Sequence, residues 1–562
     1  MDFPSPFIPY GVQTEQRDPE MSWGPPPRTL AELRMYGLSW AIRSKPEWQR
    51  KITDATIMEK WRQEALDQQE NTPVEQKMTP KMINFVLTEL EAYARLSDPV
   101  LGIESGPFDA IWYSDRLIPM QVSQRLREAI IELEDVPEEL KDWHPRSNRQ
   151  VLDLVHPSLY PVLYGRTLLS SGSPVQPPAA LPDFAAEHSL STRFCWLPSD
   201  FRIDSDGTAK LISPYINNLH PKHTCLYQLV ESIVSSFVPL FERVLSEING
   251  QDKDLLRDVT PGSGRIKPTR GHGSWPRGGY SWKFQGISVG YIWSGPAQPY
   301  PENLDSNPDW ETPKVLPEAF EQYTGELEKQ IAPYPLRGKT IQCIVKFANI
   351  HLTVDDPEYK GGSWHVEGMI NERIVASGIY YYDEDNITES RLAFRMTTAP
   401  PVYHLQDDEL CMELLYGLAG SGRCMQDIGS IPTKQGRALA WPNIYQHRVS
   451  PFRLLDPTKA GHRKIMAIFL VDPSIEPMPS ATNIPSQQAE WIFDALEDAR
   501  WNSNSLVSRL PPELVQMISE HACEGTVSRQ EAEEYRLELM EERTVYTEHG
   551  DDWEYTWNMC EH

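Results

Sequence analysis

The chain changes hydrophobic rhythm along its length. Between residues 29 and 134 apolar positions recur with a helical period. Lys81–Leu96 (KMINFVLTELEAYARL) shows it best, with Ile83, Val86, Leu87, Leu90, Tyr93 and Ala94 on one side. Thr79-Pro80 ahead of it is a helix-start signal, and Gln121–Glu134 reads as a further helix. From residue 340 the helical period gives way to short runs rich in β-branched and aromatic residues. Thr340–Thr353, Ile374–Tyr382, Arg391–Met396, Met425–Ile431, Gly436–Trp441, Ile444–Val449 and Arg463–Val471 read as strands separated by Gly and Pro turns. Glu409–Tyr416 is apolar without a decisive period.

Between these two regimes the pattern is mixed. Val151–Thr167 is apolar but broken by prolines, and Phe194–Leu197 and Phe201–Asp204 read as strands. Asp204–Gly207 (DSDG) makes a hairpin turn into Ala209–Ile212. Thr224–Glu247 is a strongly apolar helix whose Pro239 predicts a kink or break. Residues 251–314 are rich in Gly and Pro and carry Arg265, Lys267, Arg270 and Arg277. No phosphate-binding motif is completed there, so a surface loop is expected, with a lid as the alternative. Ser288–Ser294 reads as a strand. Past Asp472 come a linker, a helix over about Gln487–Arg500, a Pro-initiated helix in LPPELVQMISEH, and an acidic helix over Glu531–Glu542 that reads as a solvated face.

The expected organisation is an extended arm (1–27), a helical region (28–150), a mixed region (151–330), a β core (331–475) and an acidic helical end (476–562). The fold class is α+β. Eight or so short strands suit a double-stranded β-helix, or jelly roll, with long helical flanks.

Composition narrows the function classes. A net charge of −27 argues against a nucleic-acid or anionic-membrane surface. The seven cysteines are scattered without a C-x-x-C pair, so neither a zinc knot nor a disulfide framework is expected. The N-terminus lacks a basic segment followed by an apolar one, and no apolar run reads as long enough for a membrane span. A cytoplasmic or nuclear location follows as the expectation.

The candidate chemistry lies in Gly361–Tyr382, GGSWHVEGMINERIVASGIYYY. On a strand, His365 and Glu367 project to one side with Val366 opposite. His-x-acid pairs are common by chance: His549 and Asp551 form another, but in a polar segment without strand pattern. A second imidazole from a distant strand would complete the facial triad of a non-haem Fe(II) site, leaving positions open for co-substrate and oxygen. His447, in IYQHRV, is that candidate. Arg463 opens the last apolar strand and suits a bidentate grip on a carboxylate, such as the distal one of a 2-oxo diacid.

The order H-x-E, W-P before a His, His-Arg-Val, then Arg resembles the Fe(II)/2-oxoglutarate-dependent dioxygenases. The resemblance implies His365, Glu367 and His447 as iron ligands, Arg463 as the partner of 2-oxoglutarate, and Lys464 as the fallback if the register slips by one. It departs from the family in having Glu rather than the commoner Asp, and an extra loop (LLDPTKAGH) before Arg463. LVHPSLYPVLYGRT (Leu154–Thr167), YINNLHP (Tyr215–Pro221) and the His365 and His447 segments also resemble a large fungal family catalogued as a domain of unknown function. A rival within the same fold is the cupin pattern. It fits Gly436, Pro442 and His447, places Glu372 as an acidic ligand, and puts Glu367 where a His is usual. A catalytically silent binding scaffold is the remaining alternative.

Overall fold

The computed structural model describes residues 3–8, 27–73, 76–178, 188–257, 319–398 and 413–553, apart from 320, 321, 324, 330, 414 and 524. The basic Gly/Pro-rich loop with Arg265, Lys267, Arg270 and Arg277, and the Ser288–Ser294 strand expectation, lie outside the described residues.

Helices α1 (Leu30–Arg43), α2 (Ala55–Asp67) and α3 (Pro80–Leu96) form an N-terminal layer around one apolar cluster that includes Met35, Trp61, Phe85 and Leu90. Thr79 caps α3, its hydroxyl accepting from the Met82 N–H at 3.1 Å. The helical region also holds a strand pair that its periodicity did not predict, β1 (Ile103–Ser105) and β2 (Trp112–Ser114), before α4 (Met120–Glu134). Next come β3 (Val151–Val155), β4 (Ser199–Ile203), β5 (Ala209–Leu211) and α5 (Thr224–Arg257). The β4–β5 turn uses Gly207 at φ +94°, as the DSDG sequence predicts. The later strands are β6 (Thr340–Leu352), β7 (Ile374–Asp385), β8 (Ser390–Thr397), β9 (Met425–Thr433), β10 (Ala438–Pro442), β11 (Tyr445–Val449) and β12 (Gly461–Val471). Helices α6 (Ala489–Trp501), α7 (Pro512–Ala522) and α8 (Arg529–Trp553) follow.

The fold is mixed α/β, and its sheets are antiparallel. The main sheet runs β1-β2-β10-β7-β12-β6-β4-β5, with β3 also paired to β6. A smaller sheet runs β9-β8-β11. Residues 362–365 extend it at the β11 edge, where Gly362 donates to the Val449 carbonyl and His365 exchanges both backbone bonds with His447. One apolar core fills the space between the sheets. Ile379, Tyr381, Leu439, Trp441, Ala467 and Phe469 enter it from the main sheet, and Leu392, Phe394, Ile431 and Tyr445 from the smaller one.

The other face of the main sheet is covered by α4 and α5. Tyr380, Tyr382, Ala440, Met466, Ile468 and Leu470 meet Phe237, Phe241 and Leu245 there. Burial on both faces explains why β7 reads as an unbroken apolar run rather than an alternation. Gly378 marks the closest approach of α5: a Cβ at this position would come within 2.7 Å of Phe237.

Three expectations need correction. Helix α5 runs through Pro239 without a break, because its apolar face is held along the sheet. Its Thr224–Asn249 portion is, by length and composition, long and apolar enough to cross a membrane, contrary to the sequence reading; here half of that stretch is buried inside the protein. Helix α8 is not simply a solvated acidic face. It buries Ala532, Arg536 and Leu539, and ties itself to the body through Arg166–Glu531, Arg193–Glu538, Arg146–Glu541 and the pairing of Arg536 with Asp142 and Asp153.

Arg536 and Asp153 are both buried, so removing one partner strands the other charge. Arg536→Ala is expected to destabilise the fold by about 3–5 kcal/mol, read as a lower urea midpoint. A loss below about 1 kcal/mol, typical of exposed pairs, would show that the network does not anchor α8.

Candidate metal centre

The site begins with backbone pairing. His365 donates to the His447 carbonyl at 3.2 Å and accepts from the His447 N–H at 2.9 Å. Directly opposed residues share a face, so the two imidazoles meet, with ring centroids 4.4 Å apart. Two residues further on, Glu367 returns to the same face. Its Oε1 lies 3.4 Å from His447 Nε2 and 3.7 Å from His365 Nε2.

The surroundings fix these groups. His365 Nδ1 lies 3.0 Å from the Ser363 carbonyl, which turns Nε2 toward Glu367. Trp441 packs edge-on to His447 at 4.8 Å. Asn443, between β10 and β11, straps the Glu367 peptide from both sides. Its Oδ1 accepts from the Glu367 N–H and its Nδ2 donates to the Glu367 carbonyl, each at 2.9 Å, and Nδ2 also donates to Ile374 O at 3.2 Å. Gly368, at φ +71°, then turns the chain; a Cβ there would come within 2.9 Å of Ile374.

Burial grades across the site: the side chains of His365, Glu367 and His447 are 42%, 14% and 4% exposed. The centre therefore opens to solvent on the His365 side. Burial opposes a charge on Glu367, but the two imidazoles outweigh it and hold its carboxyl well below the usual range. Burial likewise opposes charge on His365, yet Glu367 outweighs it and raises that imidazole. Burial, with His365 alongside, keeps His447 low.

A cation held by three cis ligands at about 2.1 Å places those ligands about 3 Å from one another. Separations of 3.4 and 3.7 Å need little contraction to reach that, and an anion between two imidazoles is a donor set suited to Fe(II) or a similar dication. The residues fit a metal.

A second cluster, His144, Asp153 and His156, also brings its donor atoms within 4.8 Å. It does not fit an ion. Arg536 already donates to Asp153 and lies 3.4 Å from His144 Nδ1. His156 Nδ1 accepts from the Ser158 N–H, so the neutral ring carries its proton on Nε2. A guanidinium occupies the place a dication would take.

Arg463 and Lys464 separate cleanly. Arg463 points between the sheets and is 1% exposed. It donates to Ser390 Oγ at 2.5 Å and Thr433 Oγ1 at 3.3 Å, and lies over the ring of Phe452. Among the described residues no carboxylate lies within ion-pair distance of it. Lys464 points to the opposite face and pairs with Glu134 at 2.9 Å, so the one-residue slip is not the register observed. Glu372, the acidic ligand of the cupin pattern, does not join the cluster. Its oxygens accept from the backbone N–H groups of Trp196 and Met369 and from Arg543.

Asn443 is 1% exposed, and its loss would leave the Glu367 and Ile374 groups unpaired. Asn443→Ala is expected to cost about 2–3 kcal/mol in thermal unfolding. Asn443→Asp, which accepts but cannot donate, should not restore it. Full stability in the aspartate variant would mean that the strap is not what holds Glu367.

Comparison with known proteins gives a family without an activity. Residues 80–495 match the family described as "Protein of unknown function (DUF4246)", and residues 3–64 match "Domain of unknown function DUF4246, N-terminal". No curated protein matches the sequence. Solved structures with local similarity include an Fe(II)/(alpha)ketoglutarate-dependent dioxygenase, TqaL (13% identity, 25% of this chain, 48% of that one). They also include a bsmA homolog from Methylobium petroleophilum PM1 (11%, 28% and 50%) and IDO from Bacillus thuringiensis (7%, 28% and 68%). This chain thus spans about half the length of the first two. Each has a TM-score of 0.16, too low to carry an argument about this fold.

Proposed function

We propose that this chain, which belongs to the DUF4246 family, is a non-haem Fe(II) oxygenase that uses a 2-oxo dicarboxylate, 2-oxoglutarate, to hydroxylate a C–H bond. The strand winding supports the scaffold this requires. Taken in order, β6, residues 362–365, β7 and β8 fall alternately on the main and smaller sheets. After the β8–β9 hairpin, β10, β11 and β12 fall on the main, smaller and main sheets. This alternation supports reading the core as a double-stranded β-helix.

The observation that carries the reading is Arg463. A guanidinium buried without a carboxylate is costly unless something anionic meets it. Other buried donors face the same inter-sheet interior without a partner among the described residues: Ser377 Oγ, Tyr381 Oη and Trp441 Nε1, as well as Arg463 Nε itself. Burial pushes the Tyr381 phenol up to about 12, so it stays a donor. Buried polar atoms normally find partners, and a dicarboxylate would supply them.

The span is suitable. Ser390, which Arg463 contacts, and Phe394, which faces His447, are four residues apart on β8, or about 13 Å. An extended five-carbon diacid ligating a metal at one end and hydrogen-bonding at the other covers roughly 11 Å. When bound, iron and 2-oxoglutarate together supply the oxygen activation that no side chain here provides. His365, Glu367 and His447 would hold the ion on one face and leave the others open. Arg463 would fix the far carboxylate. The Trp441 ring and the apolar inter-sheet wall would exclude water, and the open His365 side would admit the substrate.

Anaerobic titration with Fe(II) and 2-oxoglutarate should give a visible charge-transfer band that requires both. His447→Ala should abolish it with loss of iron. Arg463→Ala should retain iron and weaken 2-oxoglutarate by about 30- to 1000-fold, the 2–4 kcal/mol expected for truncating a buried charge pair. Iron bound without affinity for 2-oxoglutarate would favour the cupin-like alternative, and no bound metal would favour a silent scaffold.

A further inference from the structure

We infer that Arg543, on the C-terminal helix α8, is a positioning residue for the metal centre, acting through Glu372 on the turn that carries Glu367. The inference rests on the proposed metal reading and adds to it a long-range control of ligand geometry.

Glu372 is 1% exposed and accepts at every side. Its Oε2 takes the Met369 N–H at 2.6 Å. Its Oε1 takes the Trp196 N–H at 3.0 Å and Arg543 Nη2 at 2.6 Å. Met369 is two residues from Glu367, and only Gly368 lies between them, at φ +71°. A left-handed glycine is a joint with little stiffness of its own. What stiffens it is the Met369–Glu372 bond, and what keeps a carboxylate in that buried place is the guanidinium of Arg543.

Arg543 is itself seated. Its guanidinium lies 3.8 Å from the centroid of the Trp196 ring, whose backbone N–H donates to the same Glu372 oxygen. The neighbouring helix residue reaches the turn by a second route. Glu542 accepts from Ser191 Oγ at 2.8 Å. Ser191 in turn exchanges bonds with Asn371, donating its N–H to Asn371 Oδ1 at 2.8 Å and accepting from Asn371 Nδ2 at 2.7 Å. The 370–372 turn is thus clamped from α8 at two adjacent points. Asn443 holds Glu367 from the other side. With Arg543 gone, Glu372 becomes a buried carboxylate without its counter-charge, and the Met369 bond that aims Glu367 is the one that yields.

Groups behind metal ligands typically change affinity 10- to 100-fold when removed. Co(II), whose visible spectrum reports coordination geometry, is the probe. Titrated into the full-length protein well below its unfolding temperature, Arg543→Ala should raise the Co(II) Kd about 10- to 100-fold and alter the bound-state spectrum. Arg543→Lys, which keeps the charge but not the fork, should recover part of the affinity and also serves if the alanine variant does not fold. Arg146→Ala, which removes an exposed pair to Glu541 on the same helix, should match wild type. A folded Arg543→Ala protein with a lower unfolding midpoint but wild-type Co(II) affinity and spectrum would overturn the inference and leave the metal reading standing. A wild-type protein that takes no Co(II) would overturn the metal reading itself, and the inference with it.

Discussion

The candidate centre depends on a pair of main-chain hydrogen bonds. His365 and His447 are distant in sequence, yet they face each other as an antiparallel pair. Their imidazoles therefore meet because backbone groups have paired, not because two flexible side chains have found one another. Two residues on, in the bend that follows, Glu367 comes to the same side, and Asn443 fixes the peptide that carries it. Little conformational freedom remains to be lost when the donors converge on an ion, which is what preorganisation means in physical terms.

The second constraint is electrostatic. Protein interiors disfavour isolated charge, yet Arg463 is held between the sheets with hydroxyls and aromatic rings around it. Its cross-strand neighbour Glu384 does not come within ion-pair distance, and burial raises that carboxyl above its usual range. The contrast with Arg536 is instructive. That guanidinium is equally buried but lies against two aspartates and a histidine, and there the charge is structural. Two buried arginines in one chain thus occupy opposite situations, one set against carboxylates and the other, among the described residues, without one.

Much of this was legible in the sequence because period-two alternation carries register as well as strand identity. The face shared by Arg463, Ile465, Ala467 and Phe469 could be read from the residues alone, and the structure places all four on the inter-sheet side. The approach of Glu367 to His365 was legible from their two-residue spacing; that His447 lies beside them comes from the fold. Asn443 was not legible, since an amide in a turn gives no sign of which distant peptide it will hold. Glu372 entered only through the rival cupin pattern, and its actual partners, Trp196 and Arg543, are too far along the chain to be read from its neighbours. The acidic look of α8 hid its function in the same way: Arg536 and Arg543 are few among many acids, but they are the residues that reach inward. Pro239 misled in the opposite direction, as packing against the sheet outweighed a local break signal.

The place of β12 in the main sheet has a consequence for biosynthesis. It lies between β7 and β6, pairing with both along nearly its whole length, although among the described strands it is the last to leave the ribosome. Until it emerges, each of those neighbours presents an open edge, and an open apolar edge is a template for pairing with the wrong chain. The nascent protein must wait for its central strand, so its most vulnerable period lasts until β12 has been made, and holding by a chaperone would matter most before then.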